Sequence, residues 1–282
     1  MAMTAVHRRR RSWGQPLVLA LGAVVFLFPF YYMVIGSLQT QSDTSVGGAF
    51  NVSSLTLDNY AQINSRVNLV RSLVNSGIFT GAVILSTVVL GVLAGYALAR
   101  LHWRGKGTLF AVVLLVQVVP FQLLIIPLYV MIVRSYGLAD TYLGMVLPFA
   151  INSTAVFVFR QFFLQLPEDL FSAARIDGAS ELRILRSIAL PLVRPALLTV
   201  TLLTFIGPWN EFLWPFLVTK NASLQPLAVS LANYITTVAG RAANPYGAGL
   251  AGAVVLAAPA VALFVAFQRY FTSSDIGSGV KG

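Results

Sequence analysis

The sequence predicts an all-α, polytopic membrane protein with six transmembrane helices. Three observations carry that reading. Of 282 residues, 57% are hydrophobic and only 10% charged, against about 25% charged in an ordinary soluble domain. Six apolar runs each reach the roughly 18–20 residues that a bilayer-crossing helix needs. Lys and Arg are also concentrated on alternate connections between those runs. A soluble enzyme of this length would need far more charged surface than the chain has, and mean hydropathy is +0.79.

The runs lie at residues 16–38, 72–99, 108–133, 140–163, 190–218 and 247–271. They are too long and too uniformly apolar to be barrel strands, which alternate in polarity. The first follows Arg8 to Arg11, as a cleaved leader would. Its length, and the lack of a small-residue cleavage site after it, favour a retained anchor. One side of the membrane receives Arg8 to Arg11, Arg100, Arg104, Lys106, Arg160, Arg175, Arg183, Arg186, Arg194, Arg269 and Lys281. The other receives Arg66, Arg71, Arg134, Lys220 and Arg241. The basic side is expected to be cytoplasmic, with both termini there, as an even number of spans requires. The expected layout is a basic N-terminus at 1–15, the membrane domain at 16–271 and a cytoplasmic tail at 272–282. Polar outer connections are expected near 39–71 and 219–246, short turns at 100–107 and 134–139, and one large inner connection at 164–189.

Several chemistries are excluded by composition. There is no cysteine, hence no disulfide or thiolate site. Gly105-Lys106-Gly107 lacks the leading glycine and the Ser/Thr of a phosphate-binding loop. His7 and His102 are far apart, and the few acids form no pattern for a metal or for acid–base catalysis. A basic arm for nucleic acid is a weak reading of Arg8 to Arg11, since arginines before a span set topology. Energy for transport would then come from an ion gradient or from a partner. Glu211 is the one clear ionisable group at membrane depth, a thin inventory for ion coupling.

The inner connection reads as two short helices. Pro167 suits a first helical position, and Glu168 and Asp169 suit a first turn. Asp177-Gly178 is a turn signal, and Asp177 is placed to cap the following helix. Ile184, Leu185 and Ile188 form an apolar stripe there, with Arg183 and Arg186 off it, until Pro191 redirects the chain. A stripe without a core of its own needs either a partner surface or the membrane surface.

Within the spans, Asn75, Gln117, Gln122, Asn152, Trp209, Asn210 and Glu211 are the polar or aromatic candidates for a solute pathway. Trp209, Asn210 and Glu211 together offer the flat ring, amide and acid that a sugar site uses. Bonding between helices is the alternative role for such groups. Gly91 and Gly95 have the spacing of a close helix–helix contact.

Ala173-Ala174-x-x-Asp177-Gly178-Ala179 followed by Ile188-x-Leu190-Pro191 resembles the EAA loop of binding-protein-dependent ABC importer permeases. That family commonly has Glu before the two alanines; here the residue is Ser172. Leu55 to Tyr60, Pro120-Phe121-Gln122, Pro127-Leu128-Tyr129, Trp209 to Phe212, Gln268 to Phe271 and Gly279 to Gly282 extend the likeness to the maltose-type (MalG-like) sugar permeases. The resemblance implies a type I ABC importer permease fold and no catalytic or metal site in this chain. It implies ATP and Mg held by a partner ATPase dimer, a homologous second permease making a heterodimer, and an extracytoplasmic sugar-binding protein that delivers a carbohydrate. It makes Ala173, Ala174, Asp177, Gly178, Ala179, Ile188, Leu190 and Pro191 the ATPase-coupling element in a prokaryotic cytoplasmic membrane. The runner-up is an ion-coupled secondary carrier of a small polar solute.

Overall fold

The computed structural model describes residues 14–42, 45, 47–52, 54–237 and 244–272, without the side chains of 15, 49 and 269–272. Arg8 to Arg11, His7, Arg241 and the tail Gly279 to Gly282 lie outside the described residues. In chain order the helices are α1 (Gly14–Leu38), α2 (Asp58–Val67), α3 (Leu69–Arg100), α4 (Lys106–Val116) and α5 (Phe121–Tyr129). They continue with α6 (Tyr142–Val146), α7 (Ser153–Leu164), α8 (Glu168–Ile176), α9 (Glu181–Ile184) and α10 (Leu190–Leu192). The last are α11 (Arg194–Asn210), α12 (Leu213–Val218), α13 (Leu227–Thr237) and α14 (Pro245–Thr272). Wider π turns follow α5 and α9, and 3₁₀ turns occupy Gly47–Phe50 and Leu147–Phe149. Among the described residues the β contact is one isolated bridge, Gln39 to Leu55.

Three helices cross a bilayer unbroken by length and composition: Pro16–Leu38, Leu69–Arg100 and Pro245–Gln268. The other three expected spans are bent pairs. Lys106–Val116 meets Phe121–Ser135 at 96°, Tyr142–Phe149 meets Ser153–Leu164 at 52°, and Glu181–Leu192 meets Arg194–Asn210 at 79°. One helix per span was expected, and proline chemistry explains the three breaks. Pro120, Pro148 and Pro195 sit at or beside the breaks, where their missing N–H leaves one donor fewer to satisfy. The expected fifth span, 190–218, accordingly ends at Asn210 and restarts as α12.

The connections are also more ordered than their polarity suggested. α2 lies within 39–71 and α13 within 219–246. The chain divides into two compact units, Met1–Arg66 with Tyr234–Gly282, and Val67–Asn233. In the first, α1 packs on α14, with Gly36 facing the Leu250 side chain, whose Cδ1 would have to move aside for a Cβ there. Asn59, only 3% exposed, donates to the carbonyls of Ser37 and Gln39 at 2.9 and 2.8 Å, while Tyr60 bonds the Ser37 hydroxyl. Asn244 donates to Gln39 O and caps α14 by accepting from Gly247 N.

In the second unit, α3 is the spine. Its 32 residues extend about 48 Å, more than the about 30 Å of bilayer hydrocarbon. α7 and α11 pack along it. One core at the Arg100 end joins Val92, Tyr96, Phe159, Phe163, Phe171, Ile184 and Leu185. A second joins Phe79, Val83, Ile132, Met145 and Trp214. At the Leu69 end, Asn75 donates to the carbonyls of Ser223 and Gln225 and accepts from the Tyr142 hydroxyl. This amide belongs to helix and loop bonding.

Gly91 and Gly95 do permit close packing. A Cβ on Gly95 would stand 2.7 Å from Phe159 Cβ and 2.9 Å from the backbone N of Arg160. We predict that Gly95→Ala destabilises the purified protein by about 1–3 kcal/mol. Gly81→Ala, where an added methyl meets nothing within 4 Å, leaves the melting temperature unchanged or raised. Equal melting of the two variants would contradict the close contact.

Candidate functional site

Two features of the second unit stand apart from ordinary packing: the hairpin α8–α9 and a cavity beside α11. In the hairpin, α8 starts one residue later than expected, with Pro167 at the cap position before Glu168. The turn after α8 is a Schellman motif. Ala179 N donates to Ala174 O at 2.9 Å and Gly178 N to Arg175 O at 3.0 Å. Gly178 takes φ +76°, which glycine adopts freely. Ala174 is buried against the same core that Ala179 touches, the small apolar contact typical of this terminator. The Ala-Ala-x-x-Asp-Gly-Ala pattern is thus a helix stop written in sequence. Asp177 caps the end of α8 instead of the start of α9. Ser180 begins α9, its hydroxyl accepting from Arg183 N at 3.4 Å.

The stripe has a core of its own. Ile184 is 0% and Leu185 4% exposed, and Ile188 and Leu190 pack against the cluster under α3 and α7. The sequence misleads here because the buried side of the hairpin is supplied by helices far away in the chain. What the hairpin presents outward is Ile176, 86% exposed, and Leu182, 59% exposed, beside the open Asp177-Gly178 turn. Ala173 and Pro191 are exposed as well.

A charge network fastens the hairpin to α3. Arg100, 7% exposed, pairs with Glu168, donates to the carbonyls of Phe163 and Leu166, and stacks 4.2 Å above the Phe171 ring. Arg175 bridges Glu168 at 3.1 Å and Glu181 at 2.8 Å. Tyr96 donates to Glu181 at 2.6 Å. Burial by itself would raise the Glu181 carboxyl, but hydrogen bonds from Arg175 and Tyr96 outweigh it and hold the group below its ordinary value. The Glu181 bond in turn raises the Arg175 guanidinium against a smaller opposing effect of burial. Tyr96, Arg100, Glu168 and Glu181 were not singled out from the sequence. Arg100 reads there as a topology determinant and Glu168 as a first-turn acid.

The cavity, about 240 Å³, is lined by Val83, Phe149, Asn152, Thr204, Gly207 and Glu211, with Pro148, Ile151, Leu203 and Pro208 completing it. Val83 lies about 21 Å along α3 from Leu69, so the cavity is near the middle of that helix. Asn152 and Glu211 both sit at helix breaks. Asn152 Oδ1 accepts from Ala155 N at 3.0 Å to cap α7, and Glu211 Oε1 accepts from Trp214 N at 3.1 Å ahead of α12. The Trp209-Asn210-Glu211 trio does not converge. Trp209 is 6% exposed and stacks on Phe205 at 5.3 Å, and Asn210 donates to Ile206 O of its own helix. Phe149 supplies the cavity's aromatic face instead. Gln117 accepts from Thr154 Oγ1 at 3.1 Å away from the lining, and Gln122 is exposed. Among the described residues no group of His, Cys, Asp and Glu could hold a metal.

Comparison with known proteins gives consistent matches. Residues 87–274 match the family described as binding-protein-dependent transport system inner membrane component. The chain is similar to the arabinooligosaccharides transport system permease protein AraQ of Halalkalibacterium halodurans, 34% identical over 275 residues, covering 96% of this chain and 97% of that one. It is 31% identical to the sn-glycerol-3-phosphate transport system permease protein UgpE of Agrobacterium fabrum, covering 90% and 92%. It is 29% identical to the lactose transport system permease protein LacG of Rhizobium radiobacter, covering 98% and 99%. A crystal structure of a bacterial ABC transporter involved in import of the acidic polysaccharide alginate superposes with TM-score 0.82 at 23% identity, covering 95% of this chain and 100% of that one. At that identity the likeness establishes a shared fold.

The Glu181 pairing has a pH signature. Its carboxyl is held low in the folded chain, so it stabilises the fold above about pH 4.5 and ceases to as pH falls through the folded value. Thermal unfolding followed from neutral to acidic pH should show that loss. Glu181→Gln should melt lower at neutral pH and flatten this part of the profile; an equally steep profile in the variant would discard the pairing as its source.

Proposed function

The chain belongs to the family of binding-protein-dependent transport system inner membrane components, and from that membership we propose that it is the permease subunit of an ATP-driven sugar importer. It is a multi-pass membrane protein of that family. Its residues supply a path and a mechanical joint, with ATP and Mg held by an ATPase dimer and no catalytic site of its own. A homologous second permease completes the channel as a heterodimer, and an extracytoplasmic binding protein delivers the carbohydrate. The permeases named for arabinooligosaccharides and lactose support a sugar or related carbohydrate as the cargo.

Orientation follows from the charges. The basic segment 1–15, the hairpin within 164–191 and the tail 272–282 face the cytoplasm, and the membrane domain spans 16–271. The observation that carries the coupling role is the Schellman-closed hairpin, which projects Ile176 and Leu182 while the ion network locks its other side to α3. Ala173, Asp177 and Gly178 form its tip. Ala174, Ala179, Ile188 and Leu190 hold it on the core, and Pro191 leads into the bend before α11. The ATPase grips the tip, closes on ATP and opens after hydrolysis. The hairpin passes that movement to the helices, exposing the path to each side in turn.

Two measurements test this reading. In membranes holding the whole complex, uptake should need ATP and the binding protein and should survive collapse of the ion gradient; the reverse pattern would make the chain a secondary carrier. Gly178→Leu forces a branched side chain into a left-handed turn at about 1–2 kcal/mol. It should leave the subunit in the membrane and abolish substrate-stimulated ATP hydrolysis, whereas Gly178→Asn, which tolerates that backbone, should keep part of it. Normal stimulation in Gly178→Leu would refute the role given to the hairpin.

A further inference from the structure

The cavity beside α11 carries a specific chemistry. Its polar lining is one carboxyl (Glu211), one amide (Asn152) and one hydroxyl (Thr204), and neither Lys nor Arg lines it. Both functional side chains are held by backbone bonds, Asn152 through Ala155 N and Glu211 through Trp214 N. Each of those bonds uses one oxygen and leaves the Glu211 Oε2 and the Asn152 amide nitrogen for a guest. A carboxylate only accepts hydrogen bonds, so it suits the hydroxyl donors of an uncharged sugar and opposes a phosphate or carboxylate. The Phe149 ring adds an apolar face of the kind that small-molecule sites set against a few placed polar groups. At about 240 Å³ the cavity is smaller than the about 300–1,000 Å³ of drug-sized pockets, so it fits one ring-sized part of a solute.

We propose that Glu211, with Asn152 beside it, makes this cavity a charge-selective point on the solute path that favours uncharged, hydroxyl-rich solutes and disfavours anions such as sugar phosphates and uronates. This rests on reading the chain as a sugar permease and adds a substrate class to it. It follows from the lining of this chain's own cavity and not from the fold, which is shared with a transporter of an acidic polysaccharide.

The absence of cysteine makes a direct test available. Gly207 lines the cavity one helical turn before Glu211, and a side chain added there meets nothing within 4 Å. Gly207→Cys, in the complex assembled with its partner subunits, is treated with two methanethiosulfonates of the same reactivity class, one carrying trimethylammonium and one sulfonate. Rates are normalised to a free thiol and measured without nucleotide and with ATP trapped. Any effect of Glu211 on the thiol itself is common to both reagents and cancels in the ratio. The cationic reagent should react about tenfold faster or more, and Glu211→Gln in the same background should bring the ratio close to one. A ratio near one with Glu211 present would overturn the proposal. So would a preference that survives Glu211→Gln, or a thiol that neither reagent reaches in either state. Ile151→Cys, on the same lining, serves if the first variant does not assemble. The ratio does not depend on what drives uptake, so failure of the ATP-dependence test and failure of this one are separate results.

Discussion

Backbone groups in hydrocarbon must find their own hydrogen bonds, and the arrangement of this chain depends on how it meets that requirement where its helices break. An unbroken helix such as α3 meets it along its own length. The three bent spans interrupt that pattern between Val116 and Phe121, between Phe149 and Ser153, and around Val193. Each break leaves N–H groups without a partner in their own helix. Prolines remove some of them, and at the second break Asn152 caps Ala155; elsewhere Thr141 caps Gly144 at the start of α6 and Glu211 takes Trp214 N–H at the start of α12. Asn152 and Glu211 are thus placed at interruptions of the helices, unlike Asn75 within the unbroken α3. The cavity lies between the break at Asn152 and the end of α11 at Glu211, so the groups that cap α7 and precede α12 also give it its chemistry.

The hairpin solves a different problem. A joint that carries force, the role proposed for the hairpin, must not deform at its own root. Schellman closure fixes the angle between α8 and α9, and Ile184, Leu185 and Phe171 bury the inner side in the core. Arg100 is the centre of the fastening. It is buried, it neutralises Glu168, and it binds the two carbonyls at the end of α7. Removing one member of such a pair leaves a buried charge, which typically costs about 3–5 kcal/mol. The Glu168 and Glu181 side chains are 53% and 39% exposed, so solvent screening reduces their share below that range. Ser172 is exposed, and the carboxylate that reaches Arg100 belongs to Glu168, one turn earlier.

The sequence was informative where local chemistry decides the outcome. Long apolar runs marked the three unbroken candidate spans and the three bent pairs, the Gly91/Gly95 spacing marked the tight contact with α7, and Asp177-Gly178 marked the left-handed turn. It was uninformative where distant residues decide. The stripe of Ile184 and Leu185 looks identical whether it meets a partner or the chain's own α3 and α7. Trp209 looks like a sugar platform near Glu211, yet residues two apart on a helix point about 200° apart, and its ring is buried beside Phe205. Phe149 could not be found because its 3₁₀ turn exists only through the bend at Asn152. The helices α2 and α13 were missed because their polar composition matches that of loops.

One stretch of chain joins the two features. From Ser180 the path runs through α9 and α10, bends at Val193, continues through α11 and reaches the cavity at Gly207 and Glu211. Val193 is 1% exposed, so the bend is gripped by the core and movement of the hairpin cannot be absorbed there by free rotation. α11 is about 25 Å long and packs against α3 and α7. A tilt imposed at the hairpin therefore appears at the far end of α11, where Pro208 and Glu211 meet the helix break. Switching an equilibrium from 1:99 to 99:1 takes roughly 5.5 kcal/mol of differential interaction. Burying Ile176 and Leu182 against a partner contributes about 1.5–3 kcal/mol each when fully covered, so these two side chains can hold the joint through such a stroke while ATP drives it. Under the proposed coupling role, the cavity's chemistry and its opening are set at opposite ends of α11.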